Sequence, residues 1–394
     1  MWKLVWTFSL FCWSSEARVT CRDENNGEKD WYILYKAPRQ GTLTGLEYLY
    51  IDSNGVKKME PLKPSASSGG TAGPSATAYK PINDPEGILA NTLRPLFTPV
   101  RSMPPNFGFI SYSDQPPGCS ADEQFGHSKG VVMVDKTGTG VWMLHSTPRF
   151  PFRRDQNHFW PDSGNKNAQT FICVTFPYSQ FTKIGKHLQY IGAFPFQHDI
   201  PPDFHQELQQ AVNWFQPAPD NHFQPLISNG GLPVQSIAKN MGQSANDGDL
   251  YVSIAKIVDS DLLVQTWGCQ PHRKRSFCDK KHKVENIKSI NTVLGSWTAK
   301  VDHSKWCLAK DPQKHWVCLA DVNRATTQYQ RRGGALCIDN EAIKNNFWNF
   351  VTSIDDCKVI SSGQTLGGHT DMDVDTVDPE CVSPAGDHTD LSMG

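Results

Sequence analysis

Two segments of this chain carry the same triplet, His-Ser-Lys, at the head of an apolar run. The first is Gly126-His127-Ser128-Lys129-Gly130-Val131-Val132-Met133-Val134-Asp135, and the second, shorter, is Asp302-His303-Ser304-Lys305-Trp306-Cys307-Leu308. The run after the first copy reads as a buried strand, and residues i and i+2 of a strand project to one face. Each His-x-Lys therefore delivers an imidazole and an ammonium side by side. Two such strands facing each other would supply two imidazoles and two ammoniums to a single centre, which suits an anionic phosphodiester. The competing reading is a pair of half-exposed strand ends. A third His-x-Lys, at His272-Arg273-Lys274, falls in a polar stretch with no strand pattern.

The 394 residues allow two domains or one large two-lobed unit, and 38% hydrophobic content supports a true core. A net charge of −2 argues against a constitutive nucleic-acid coat protein. Acid changes the balance: protonating all 13 histidines would lift the formal charge from −2 to +11, an upper limit that favours a polyanion at low pH. Residues 1–17 read as a secretory signal, with Lys3, an apolar stretch over 4–13 and Ser15-Glu16-Ala17 as a small-x-small cleavage site. That stretch is too short to span a bilayer and no later one is long enough, so no stable membrane association is expected. Removing the signal takes Cys12 from the 11 cysteines and leaves ten, an even number suited to disulfides in an oxidising compartment. No Asn-x-Ser/Thr sequon occurs, so N-glycosylation is not expected.

Along the mature chain, 31–36 and 46–52 read as strands, the latter closed by Ser53-Asn54-Gly55. The Ser/Gly/Ala/Pro-rich stretch 64–78 reads as a mobile loop. Helical spacing follows over 84–97, then a strand at 107–113 and a turn at Asp114-Gln115-Pro116-Pro117-Gly118. Residues 141–146 pair with the first motif strand through the turn 137–140, which brings His145 close to His127. A strand at 169–176 and helices at 179–189 and 203–215, with Asp203 as N-cap, complete the first half. The Pro/Asn/Gly-rich stretch 216–234 looks like the join. Beyond it come two elements at 250–256 and 261–267, a basic loop at 272–283, the His303 strand, a strand at 316–322 and a helix at 340–354. The organisation expected is thus 18–215 and 216–358 as two α/β halves with one motif strand at the centre of each, followed by a polar tail, 359–394.

Several segments together resemble the deoxyribonuclease II family: both His-Ser-Lys segments, Asp321-Val322-Asn323-Arg324, Arg332-Gly333-Gly334-Ala335-Leu336-Cys337, the 31–36 strand, Ser113-Asp114-Gln115-Pro116-Pro117 and Phe181-Thr182-Lys183-Ile184-Gly185-Lys186. The resemblance covers residues 18–358 in order. It implies a phospholipase D-like fold, two α/β/α halves with pseudo-two-fold symmetry and a shared central active site. It also implies an acid endonuclease that acts on DNA without metal or other cofactor and leaves 3′-phosphate ends. His127, Lys129, His145, His303 and Lys305 are its implied catalytic residues, and Asn323 and Arg324 are expected at the substrate. Disulfides Cys21–Cys173, Cys278–Cys357 and Cys318–Cys337 are implied too, leaving Cys119, Cys269, Cys307 and Cys381 unassigned. The chain departs from the wider superfamily pattern, which puts an Asp five residues after the Lys. Those positions are Val134 and Lys310, and Asp135 and Asp311, one residue later, would face the other way. The missing sequons remove the usual glycan route to lysosomes, so both lysosomal and extracellular residence are expected possibilities within the secretory pathway.

In the chemistry expected, His127 attacks phosphorus, His303 protonates the leaving 5′-oxygen, Lys129 and Lys305 hold the phosphoryl oxygens, and His145 orients or assists. The swapped histidine assignment follows from the symmetry of the motif. Cys269-x-x-His272 with Cys278-x-x-x-His282 imitates a zinc site on a short loop. The cluster Arg273, Lys274, Arg275, Lys280, Lys281 and Lys283 reads either as a DNA-phosphate track or as a solvated basic loop. No nucleotide-binding Gly-rich loop, Ser-His-Asp pattern or heptad array is present. The alternatives are a secreted non-catalytic DNA-binding or toxin-like relative, or a phosphodiesterase acting on a lipid or other diester.

Overall fold

The computed structural model describes residues 18–59, 80–220, 222–279 and 281–357. The expected signal, the 64–78 loop, the tail, Lys280 and Cys381 lie outside the described residues.

Eight strands build the first sheet: β1 Trp31–Lys36, β2 Tyr48–Asp52, β3 Gly55–Met59, β4 Phe107–Ser113, β5 Lys129–Asp135, β6 Thr139–His145, β7 Gln169–Pro177 and β8 Pro195–Asp199. They lie in the order β8-β4-β5-β6-β7-β1-β2-β3, antiparallel throughout. The second sheet has ten strands. Its main path runs through β9 His222–Ile227, β10 Pro233–Ala238, β11 Leu262–Gln265, β12 Lys283–Thr292, β13 Trp306–Ala309, β14 Trp316–Ala320 and β15 Gly334–Asp339, in the order β9-β10-β15-β14-β13-β11-β12.

The pseudo-symmetry is legible in that order. Antiparallel β4-β5-β6-β7 matches antiparallel β11-β13-β14-β15, with a motif strand second in each set. The outer neighbour of the set, β1 or β10, is antiparallel as well. Helix α2 (Phe181–Tyr190) follows β7 as α5 (Glu341–Phe350) follows β15, with α1 (Ile88–Leu93), α3 (Gln206–Val212) and α4 (Leu250–Val258) completing the set used below.

Strand alternation assigns the faces. In β1, Trp31, Ile33 and Tyr35 join a core shared by both sheets, while Tyr32 and Leu34 turn to an outer cluster. Helices α2, α3 and α5 fill the shared core through Ile184, Leu188, Leu208, Ile343 and Phe347. Helix α1 covers the outer face of the first sheet, and α4, through Leu250, Ile254 and Val258, covers that of the second. The result is an α/β fold of two sheets sandwiching a helical layer.

Boundaries differ from expectation where polar contacts override periodicity. Helix α3 is shorter than 203–215. Asp203 does not cap it but pairs with Lys136, and Phe215 is exposed rather than in the core. The join 216–234 contains β9, which pairs with β10. Residues 250–256 fall in α4, whose N-cap Asp249 accepts from the Tyr251 N–H. The helix expected over 340–354 is α5, capped by Asn340, followed by a strand, Val351–Asp355. The implied disulfides Cys21–Cys173, Cys278–Cys357 and Cys318–Cys337 are present. Cys269 is disulfide-bonded as well, while Cys119 and Cys307 are free thiols. With Cys269 and Cys278 both oxidised, the zinc reading falls, because zinc needs thiolates.

Candidate active site

Each motif is suspended from the opposite half. The N–H of His127 donates to the carbonyl of Arg332 (2.9 Å), which precedes β15. The N–H of His303 donates to the carbonyl of Ala168 (3.0 Å), which precedes β7 and itself donates to Val301 (2.9 Å). The chain passes so close here that a Cβ on Gly126 would sit 1.9 Å from the Ile191 carbonyl oxygen, so only glycine fits. His127 lies just before β5 and Lys129 begins it. Likewise His303 and Lys305 immediately precede β13.

Register supplies what the sequence motif lacked. Ser113 of β4 pairs with Lys129, and the Asp114 N–H donates to the Ser128 carbonyl (3.2 Å). The Asp114 side chain thereby lands on the motif. Its Oδ2 is 2.6 Å from His127 Nδ1, and its Oδ1 accepts from Lys129 Nζ at 2.6 Å. Arg331, from the other half, adds an Nη2 contact at 3.3 Å. Burial alone would raise the Asp114 carboxyl, but His127, Lys129 and Arg331 outweigh it and hold it well below the ordinary range. Asp114 is therefore ionised and acceptor-only, which places the His127 proton on Nδ1 and leaves a lone pair on Nε2. Burial pushes His127 down to about 3, with Asp114 opposing and Lys129 and Lys305 adding to the fall. Val134 is a core residue, whereas Asp135 and Asp311 accept from the turn N–H groups of Thr137 and Gln313.

The second motif is built differently. Asp302 does not touch His303. It accepts from Tyr35 Oη (2.5 Å), Trp297 Nε1 (2.8 Å) and the Ser304 N–H (2.9 Å), so it anchors the turn to β1 of the first half. The His303 ring packs on Trp267 at 4.2 Å between centroids. Burial, then Lys305, Lys166, Lys129 and Lys36, hold this imidazole well below its ordinary value. Burial and the Lys129 charge also push Lys305 down to about 7. The Nε2 atoms of His127 and His303 are both buried without a hydrogen-bond partner among the described residues. These mutual influences show that the two motifs share one electrostatic centre.

The other expected residues divide. His145 lies one register step beyond the Gly130–Leu144 pair, which puts it across from Lys129. It is buried between Phe150 (4.9 Å) and Phe171 (5.5 Å), and burial with the two lysines depresses it strongly. Asn323 accepts from the Trp267 N–H (3.2 Å) and donates to Gln270 (2.9 Å), so it steadies the ring that His303 leans on. Arg324 is not brought to the centre. Its fully buried guanidinium is engaged by Asp249 (2.8 Å), Asn286 (2.8 Å) and the Arg275 carbonyl (3.0 Å).

Sequence reasoning missed Asp114, Trp267, Arg331 and Asp321. Burial pushes Asp321 up to about 8, and its Oδ1 has no partner among the described residues. Asp114 and Asp321 carried a signal, since both stand in segments that bear the family resemblance, but neither had a role attached.

Two imidazoles and two ammoniums thus lie at the seam of a two-sheet α/β fold, a set of charges suited to an anionic ester. Comparison with known proteins narrows the class. The family model described as Deoxyribonuclease II matches residues 20–357. Deoxyribonuclease-2-beta of Homo sapiens is 30% identical over 89% of this chain and 94% of its own. Deoxyribonuclease-2-alpha of Mus musculus is 31% identical over 88% and 95%, and Plancitoxin-1 of Acanthaster planci 30% identical over 87% and 94%. The chain belongs to the deoxyribonuclease II family. Among solved structures, yeast tyrosyl-DNA phosphodiesterase matches 57% of this chain and 69% of its own at 10% identity, with a TM-score of 0.30.

The Asp114–His127 pair makes a spectroscopic prediction. In ¹⁵N-histidine spectra His127 should remain the neutral, Nδ1-protonated tautomer from about pH 8 down to about pH 4. Asp114→Asn should leave the ring neutral but mix its tautomers, because an amide can present either a donor or an acceptor. An imidazolium at His127 near pH 6 contradicts the assignment.

Proposed function

We propose that this chain is an acid endonuclease that hydrolyses DNA phosphodiesters without metal, leaving 3′-phosphate ends through a phosphohistidine on His127. One observation carries the reading: in each motif the histidine Nε2 is buried without a partner among the described residues, and only His127 is backed by a carboxylate. A lone pair on His127 Nε2, fixed by Asp114, suits attack on phosphorus. The P–O5′ bond breaks as the His303 imidazolium gives its proton to the leaving 5′-oxygen. Neutral His303 then takes a proton from water, which attacks the phosphohistidine and releases the 3′-phosphate. Lys129 and Lys305 neutralise the non-bridging oxygens in a dry site, where such charge acts most strongly. His145 supports Lys129, Asn323 steadies His303 through Trp267, and Arg324 holds α4.

The acid requirement follows from the same charges. His303 must carry a proton to act, yet burial and four lysines disfavour it. The anionic substrate relieves part of this, and falling pH supplies the rest. Lys305, near 7, is also fully charged only in acid. A non-catalytic DNA binder, toxin-like or otherwise, would need only positive charge and no unpartnered imidazole nitrogens. The disulfides favour an oxidising compartment, lysosomal or extracellular, reached by the secretory pathway. No helix among the described residues is long and apolar enough to cross a membrane.

The test is nicking of supercoiled plasmid at about pH 5 and about pH 7.5, with EDTA throughout. Wild type should nick only in acid, and His303→Ala should not nick. Nicking that needs a divalent ion overturns the metal-free route, and no nicking at either pH returns the binder or a lipid diesterase. The pH profile can also be moved. Lys166 is exposed, so Lys166→Gln should let His303 protonate more easily and shift the alkaline limb upward by a few tenths of a pH unit at low salt, fading as salt screens it.

A further inference from the structure

Beside His127 stands an aromatic cluster that the chemistry above leaves unused. Phe125, two residues before His127, packs edge-on against Phe194 (centroids 4.8 Å apart) and Trp214 (5.6 Å), and Phe194 lies 6.1 Å from Trp214. Phe125 is buried, whereas Trp214 is 56% exposed and holds a left-handed backbone, φ +61°, which disfavours a bulky residue. That conformation ends α3, as the Phe215 N–H donates back to the Gln210 carbonyl (3.0 Å), and it leaves the indole with an open flank on a packed base.

All three rings sit on segments bonded to the reaction centre. Phe125 adjoins Gly126, whose N–H donates to the Gly192 carbonyl (2.8 Å). The Phe194 carbonyl accepts from the N–H of Ser113, next to Asp114 (3.0 Å). Arg332, whose carbonyl holds His127, donates through Nη2 to the carbonyl of Pro217, three residues beyond Trp214 (2.9 Å). Arg331 bridges Asp114 and the Phe125 carbonyl through Nη2, and its Nε is buried without a partner among the described residues. A cation with a free donor therefore lies between Asp114 and Phe125, the residue whose ring backs the indole. Phe125 and His127 lie within ~7 Å of each other along the chain, with the indole one ring contact farther out.

We propose that Trp214 is a stacking platform for a nucleobase flanking the scissile phosphate, with Phe125 and Phe194 as its backing and Arg331 on the intervening backbone. The inference rests on the nuclease reading and adds to it a base-binding subsite that ignores sequence, since every base has a π-face. It commits the site to an unpaired or frayed strand at that position, because a base within a duplex offers no free face.

The experiment measures binding of a short fluorescent single-stranded DNA by anisotropy in a His127→Ala background, with an abasic site scanned along the strand. Trp214→Ala should weaken binding about 5- to 150-fold, the range expected of one base–aromatic stack, and Trp214→Phe should restore most of it. One abasic position should weaken the Trp214 protein by the same factor and weaken Trp214→Ala no further. If Trp214→Ala binds as tightly as its parent, or if the abasic and Trp214→Ala losses multiply at every position, the platform is wrong. Plasmid nicking by otherwise wild-type protein separates the two claims. Cutting with KM unmoved by Trp214→Ala overturns the platform alone. Binding through Trp214 without cutting overturns the nuclease alone, and neither binding nor cutting overturns both.

Discussion

The exchange of two backbone hydrogen bonds across the seam is the constraint on which the rest depends. His127 hangs from the carbonyl of Arg332 and His303 from that of Ala168, so neither motif is in position without the opposite half. The exchange is reinforced by side chains: Arg331 reaches Asp114 from the second half, and Tyr35 reaches Asp302 from the first. A pseudo-symmetric pair of sheets could have two separate histidine–lysine pairs. The crossed suspension turns them into one centre.

That centre is electrostatically costly, and the surrounding fold is arranged to bear the cost. Lys129 and Asp114 are buried together, and breaking such a pair by removing one partner costs about 3–5 kcal/mol. Lys305 has no carboxylate within bonding distance among the described residues and donates to the His303 carbonyl instead (3.0 Å), which is why burial can push it toward neutrality. Asymmetry between the motifs follows from the same economy. One motif has an ionised Asp114 that fixes a tautomer, while the other has only an aromatic wall, Trp267, and a ring of cations. A fixed neutral imidazole and a reluctant imidazolium suit the nucleophile and the acid of the proposed cleavage.

Much of this was legible in the chain because continuous apolar runs rich in β-branched and aromatic residues report buried strands directly. The β5–β6 hairpin and the burial of β1 follow from such runs, and the paired motifs from the repeated triplet. Asp114 stands in a turn and in a family segment with no role attached, because its role arises from the Ser113–Lys129 register between strands whose pairing the sequence does not declare. Trp267 and Arg331 were invisible for the same reason, each approaching from a remote segment. Arg324 is the opposite case: a motif residue whose guanidinium pairs inside the fold with Asp249, distant in sequence. Helix α3 was overextended because Phe215 continues the apolar spacing while its backbone has already left the helix at Asn213.

The most direct measurement is mass spectrometry of the trapped intermediate. The His303→Ala protein is mixed with DNA whose scissile phosphate carries a good leaving group at the 5′-oxygen, quenched in alkali to spare the phosphoramidate, and digested. A nucleotidyl 3′-phosphoryl adduct is expected on His127, absent after His127→Ala. An adduct on any other residue, or turnover of that substrate with no adduct at all, contradicts it.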